Sequence, residues 1–231
     1  MSRLTWDETG TRRFETGVDH GVVYPYNSTT GQYDSGYSWS GLTSVSESPS
    51  GADANDLYAD NIKYLTLRAA EEFGATIEAY NYPEQFAILD GTADLVSGVS
   101  IGQQSRGTFG FSFRSRIGND TDGDSHGYMI HLIYGASVSP SERAYASVND
   151  SPEAISFSWE LSTIPGNVTG FKPTAIVRID STKFTTEAAK NKLKEFEDIL
   201  YGTNGAEGAT GTDPRLPLPD EVKTKLTVSA G

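Results

Sequence analysis

In GNDTDGDSHGY, residues 118–128, Asp120, Asp122 and Asp124 alternate beside a glycine and a histidine. Carboxylates at every second position of a short loop are an arrangement that can wrap Ca²⁺ in oxygen ligands. The EF-hand version also needs glycine at position six and a bidentate glutamate at position twelve. Counted from Asp120, those positions hold Ser125 and His131, and the glycine stands one place early, at Gly123. Both flanks alternate like strands. The stretch therefore reads as a hairpin loop, Gly118–Gly127, using Asn, Asp and Gly because they tolerate turn geometry. No metal or cofactor is expected, with Asp120, Asp122 and Asp124 as the candidate ligands if one binds. The three histidines, His20, His126 and His131, follow no H-E-x-x-H or H-x-H spacing.

Other chemistry finds no footing. SGVSIGQQSRG holds serines and glycines but no G-x-S-x-G elbow, and no parallel α/β pattern surrounds it. No Walker loop is present, and no G-x-G-x-x-G follows a strand. The absence of cysteine excludes disulfides, thiolate zinc sites and a thiol nucleophile. The expectation is a protein that is not an enzyme.

The elements around these residues are mostly strands. Ile155, Phe157, Trp159 and Leu161 alternate with Ser156, Ser158 and Glu160, and Phe109, Phe111 and Phe113 alternate with polar or small neighbours. Further strands are expected at 12–18, 21–26, 41–47, 74–80, 128–134 and 174–180. Short strands separated by Gly, Pro, Ser and Asn predict a mainly β fold, an antiparallel sandwich or barrel of two sheets with long loops. One segment changes period. Ala189, Leu193, Phe196 and Leu200 form one apolar stripe, predicting a flanking helix over 185–201, capped by Thr185 or Thr186 and closed by Gly202. A shorter helix is expected near 82–89. Residues 1–202 then form the domain, and 203–231 a partly flexible C-terminal extension.

Three segments fall outside the core pattern. Residues 27–40 are rich in Tyr, Ser and Gly, 46–60 are polar and acidic, and 202–220 are rich in Gly and Pro. Tyr33, Tyr37 and Trp39 amid small polar residues suit a protein-contact surface, since such rings give large contact area at low entropic cost. They equally suit a hairpin packing on its own sheet. Pro49, Leu57 and Tyr58 are the contact candidates in the second segment. Against the 18 Lys and Arg stand 31 Asp and Glu, a net charge of −13, which disfavours tight nucleic-acid binding. No run reaches membrane-spanning length and the N-terminus lacks a signal-like apolar stretch, so synthesis in a cytosol without a membrane anchor is expected.

Three pieces, LYADNIKY (57–64), EFGATIEAYNYP (72–83) and RIGNDTDGDSHGY (116–128), carry a resemblance that extends over roughly residues 4–202. The chain resembles the major tail (tail tube) proteins of long, non-contractile-tailed bacteriophages of Gram-positive hosts. The resemblance implies a virion structural protein, assembled in the host cytoplasm into stacked, hexameric rings. Those rings form a hollow tube through which genomic DNA passes without specific binding. It further implies a tape measure protein and tail terminator and distal tail proteins as partners. Residues 27–40 and 46–60 become assembly loops. A carbohydrate-binding or adhesion module, with Tyr33, Tyr37 and Trp39 as a stacking platform, is the alternative.

Overall fold

A computed structural model describes residues 3–148, 150, 154–205 and 210–227. In chain order the strands are β1 (Arg13–Asn27), β2 (Gln32–Tyr33), β3 (Tyr37–Trp39), β4 (Leu42–Glu47), β5 (Ser50–Gly51), β6 (Ala54–Ala59), β7 (Ile62–Arg68), β8 (Glu71–Glu72) and β9 (Gly74–Ala79). Helix α1 (Glu84–Leu89) precedes β10 (Ala93–Val96), β11 (Val99–Ile101), β12 (Phe109–Asn119), β13 (Gly123–Val138), β14 (Phe157–Thr163) and β15 (Ile176–Asp180). Helices α2 (Glu187–Tyr201) and α3 (Pro219–Leu226) follow. The chain is mainly β and antiparallel, as the alternating patterns predict.

Nine strands form one hydrogen-bonded sheet with the path β2–β1–β12–β13–β14–β9–β4; β3 also pairs with β1, and β15 with β13. Only Ser40 and Gly41 separate β3 from β4, so a sheet that starts at β3 on β1 returns through β9 to nearly the same point of the chain. Gly41 takes the corner at φ +86°, a conformation that favours glycine. The sheet thus curls round a core instead of splitting into two separate hydrogen-bonded sheets.

That core is aromatic. Trp159 is fully buried, with ring centroids 5.2 Å from Trp39, 5.3 Å from Phe86 and 5.4 Å from Tyr82, all in edge-on geometry. Phe86 comes from α1, which begins after Pro83 and plugs one end. Both indole N–H groups find acceptors: Trp39 Nε1 donates to the Asn81 carbonyl at 2.7 Å and Trp159 Nε1 to Asp90 at 3.2 Å. Asp90 also holds Arg143 at 2.5 Å. Burying these groups without partners would cost more than the rings' packing could spare.

A second core lies on the outside of the β1–β12–β13–β15 part of the sheet. Ile130, Leu132 and Tyr134 of β13 face Leu193, Phe196 and Leu200 of α2, while His131 and Ile133 face the barrel. At Gly135 the alternation slips by one, so that Ala136 and Val138 point inward. Gly135 sits at φ +60°, and an added Cβ would lie 2.3 Å from the Ile164 carbonyl oxygen. This bulge also changes β13's partner, from β15 at 129–133 to β14 at 136–138. Thr186 caps α2 by accepting from Ala189 N at 3.2 Å, and Gly202 ends it.

Four expectations are corrected. The segments 12–18 and 21–26 are one strand, because Gly17 (φ +70°) and His20 (φ +53°) form bulges where a turn is expected. The turn after β12 is short: Asn119 pairs with Gly123, and β13 begins well before Gly127. Residues 46–60 are not loop but mostly strand, with β6 pairing β7 across Asp60–Asn61, both at positive φ as a tight hairpin turn requires. Of the expected extension, residues 210–227 pack as structure and are not loose, while 206–209 and 228–231 lie outside the described residues. Leu216 and Val222 are buried in the outer core, and α3 accompanies α2 as a second flanking helix.

Replacing Trp159 with Ala is expected to cost about 3–5 kcal/mol, the usual range for truncating a buried large aromatic. Gly135→Ala should also destabilise, through strain at positive φ and collision with Ile164, whereas Gly102→Ala meets no neighbouring atom and needs no positive φ. Urea unfolding midpoints would rank the three; a Gly135→Ala variant as stable as Gly102→Ala would discount the bulge.

Candidate assembly surface

Among the described residues, ten exposed large apolar side chains lie on two hairpins that pair with no other strand. In β6–β7, Leu57, Tyr58, Ile62, Tyr64, Leu65 and Leu67 are all exposed, and every residue of β7 is open to solvent. Its internal polar bonds are few: Asp56 accepts from Thr66 at 2.6 Å and pairs with Lys63 at 2.8 Å. Leu95, Val96, Val99 and Ile101 are likewise exposed on β10–β11. A two-stranded hairpin is marginal alone in water, and exposed apolar strand edges are sites of intermolecular pairing. Pro49 and Tyr37, also expected at contacts, are exposed as well.

Tyr33 and Trp39 do not belong to this surface. Trp39 is 3% and Tyr33 8% exposed; Trp39 fills the barrel, and Tyr33 Oη accepts from Gly135 N at 2.9 Å. They cannot form a sugar-stacking platform with Tyr37. The aromatic pattern of 27–40 reflects packing of this segment on its own sheet, the reading left open by period-two alternation.

The aspartates of the β12–β13 turn are held apart by local bonds. Asp120 accepts from Gly10 N at 2.9 Å, and Asp122 pairs with His126 Nδ1 at 2.9 Å. Asn119 Oδ1 accepts the backbone N–H groups of Thr121 and Asp122, which fixes the turn. Among the described residues no three His, Asp or Glu side chains converge as a metal site would need.

One sheet face stays free of both helices and core. On β4–β9–β14 the inward row is Val45, Ile77 and Trp159, and the outward rows are Ser44, Glu78, Ser158 and Ser46, Thr76, Glu160. Ser44 Oγ donates to Glu78 at 2.8 Å. This face offers hydroxyls and carboxylates and no cation. The sequence conceals it, because its members come from three distant segments.

Between β1 and β4 the sheet stands open. Thr16, Val18, Val45, Glu15, Glu47, Ser115, His131 and Arg178 border a cleft of about 540 Å³. His131 stacks flat on Phe113, with centroids 4.3 Å apart. Its Nε2 lies 3.0 Å from Ser115 Oγ, whose hydroxyl reaches Glu15 at 3.3 Å. Glu47 is bound by Arg178 and lies 3.7 Å from His131 Nδ1. Burial lowers the His131 pKa below its usual value, an effect Glu47 and Glu15 oppose without reversing and Arg178 reinforces.

Asp19 anchors the bulged part of β1. Arg114 Nε donates to it at 2.8 Å and His20 Nδ1 lies at 2.8 Å. Burial raises its pKa, but the bonds from Arg114 and His20 outweigh this and hold the carboxyl below its ordinary value.

No protein-family model matches the chain, and no curated protein matches it. Among the described residues no helix is long and apolar enough to cross a membrane.

His131 gives a pH prediction with a definite sign. The folded state keeps the imidazole neutral to lower pH than the unfolded state does, so unfolding takes up a proton. The stability this neutral imidazole allows is complete above the unfolded pKa of about 6.5 and is lost as pH falls below it. Urea midpoints measured from pH 7.5 down to 5.5 should fall, and less steeply in His131→Gln. Equal slopes in the two proteins would show that another group carries the dependence.

Proposed function

We propose that this protein is a structural subunit of a phage tail tube, assembling with copies of itself into stacked rings around a bore for DNA. The observation that carries the reading is the pairing of a self-sufficient barrel with two apolar hairpins that have no core of their own. Such hairpins suit a subunit whose remaining burial is supplied by neighbours, and head-to-tail contacts between copies close into rings. The resemblance of residues 4–202 to tail tube proteins supplies the particular class, and with it the tape measure, terminator and distal tail proteins as partners within a virion.

The hydroxyl- and carboxylate-bearing face of β4–β9–β14 is the surface best suited to line the bore. A polyanion slides past carboxylates without being held, whereas a row of lysines would retain it. A net charge of −13 per subunit also opposes ring closure, and salt relieves that repulsion by shortening its range to about 10 Å at 0.1 M.

Assembly should therefore strengthen with ionic strength, and negative-stain images of concentrated protein should show rings or tubes. Leu65→Asp with Leu67→Asp should leave the unfolding midpoint nearly unchanged, because both residues lie outside the cores, yet abolish association in sedimentation velocity. A monomer at all concentrations, or unimpaired assembly of the double variant, would count against the reading.

Charge in the bore has its own test. Glu78→Lys with Glu160→Lys should still assemble, and the resulting tubes should retain DNA at low salt and release it as salt rises. Tubes of both proteins that ignore DNA equally would place the bore on another face.

A further inference from the structure

A cavity of about 470 Å³ lies where the β1–β2 hairpin, the segment after β14 and the start of α3 meet. Its size is within the ~300–1,000 Å³ usual for small-molecule sites. Tyr26, Tyr33 and Tyr134 border it, with Ile164, Leu218 and Asp220 among the other residues of its wall.

The tyrosine rings are turned against one another. Tyr26 and Tyr33 have centroids 5.2 Å apart and planes at 63°; for Tyr33 and Tyr134 the values are 6.1 Å and 55°. The two buried rings are held by their hydroxyls. Tyr33 Oη accepts from Gly135 N at 2.9 Å, and Tyr134 Oη donates to the Pro217 carbonyl at 3.0 Å. The angled aromatic corner is therefore fixed before any ligand enters, which spares a ligand the cost of ordering it.

The charge of the cavity has one sign. Among the described residues no Lys, Arg or His lines it, and Asp220 is its charged member. Thr169 donates to Asp220 from its hydroxyl at 2.7 Å and from its backbone N at 2.9 Å, which ties the segment after β14 to α3. These bonds hold the carboxyl below its ordinary pKa, so it is ionised at neutral pH. The helix end beside it carries about half a positive charge, less than the full negative charge of Asp220. Lys223, further along α3, is turned to the Phe171 ring at 5.6 Å.

These features select among ligands. An anion meets no cation here. A metal ion or a simple ammonium would lose hydration that aromatic and aliphatic walls do not replace. A quaternary ammonium has no N–H to satisfy, is apolar on its outside, and is attracted to ring faces and to a carboxylate. We propose that this cavity binds the quaternary ammonium group of a small free molecule, its methyl groups against Tyr26 and Tyr33 and its charge beside Asp220. The site lies within one subunit and does not rest on the assembly reading.

Gly31, Gly135 and Gly166 line the cavity, so their amide signals in ¹H–¹⁵N spectra of the full chain report on it. Choline chloride should shift them saturably, and sodium chloride at equal ionic strength should not. The neutral carbon isostere of choline, with tert-butyl in place of trimethylammonium, should bind about tenfold more weakly. Phosphocholine, the form in which this group is carried on lipid headgroups, brings a phosphate towards Asp220 and should also bind less tightly than choline. Tyr26→Leu keeps an apolar wall at a partly exposed position and should weaken choline about fivefold, the worth of one exposed cation–π contact. The comparison of ligands on the unaltered chain stands whether or not this variant folds. Equal binding of the neutral isostere would reduce the site to an apolar cavity. Tighter binding of phosphocholine would deny Asp220 its role, and an unchanged affinity in Tyr26→Leu would remove the ring contact. Any of these, or the absence of a saturable shift, would overturn the proposal and leave the assembly reading untouched.

Discussion

The β12–β13 pair is covered on both faces, and most of the architecture follows from that. Its inner face is part of an aromatic barrel and its outer face lies under α2 and α3. A strand buried on both sides must place apolar groups at consecutive positions, which Met129 to Tyr134 does apart from His131. The slip at Gly135 keeps both faces apolar while β13 bends towards β14. Without it, Ala136 and Val138 would turn outward and the barrel would lose one wall.

The same economy explains where polar groups sit. Inside the barrel each indole N–H ends on an acceptor, and under α2 the Tyr24 hydroxyl donates to the Leu200 carbonyl at 2.8 Å. Charge gathers at the periphery: Asp19 with Arg114 on the bulged strand, Asp90 with Arg143 beside α1, and Glu47 with Arg178 at the cleft. Many of the apolar groups left outside lie on the two hairpins. The two cores hold the subunit together without them, so these hairpins are free to serve contacts between molecules.

Much of this was legible from residue spacing. The stripe Ala189, Leu193, Phe196, Leu200 marked α2, and the alternation around Trp159 marked β14. What escaped were features that depend on partners distant in sequence. Positive φ at Gly17 and His20 looked like a turn because local composition does not distinguish a bulge from a reversal. Asp60–Asn61 was a readable hairpin turn, but the acidic residues before it resembled a loop. Tyr33 and Trp39 show the limit of aromatic content as a sign of an exposed surface: the same alternation serves either side of a sheet. The His131 cleft joins residues from β1, β4, β12, β13 and β15, and no local motif could assemble them.

The outer core has a consequence for the order in which the molecule is made. The sheet's last strand, β15, precedes α2 and α3 in the chain, so the sheet can close while the helices are still being synthesised. At about 5–20 residues per second, Ile130, Leu132 and Tyr134 then face solvent for seconds before their cover arrives. During that interval the nascent chain bears a greasy plate that the finished one lacks, a transient aggregation hazard that ends when α2 and α3 fold onto it.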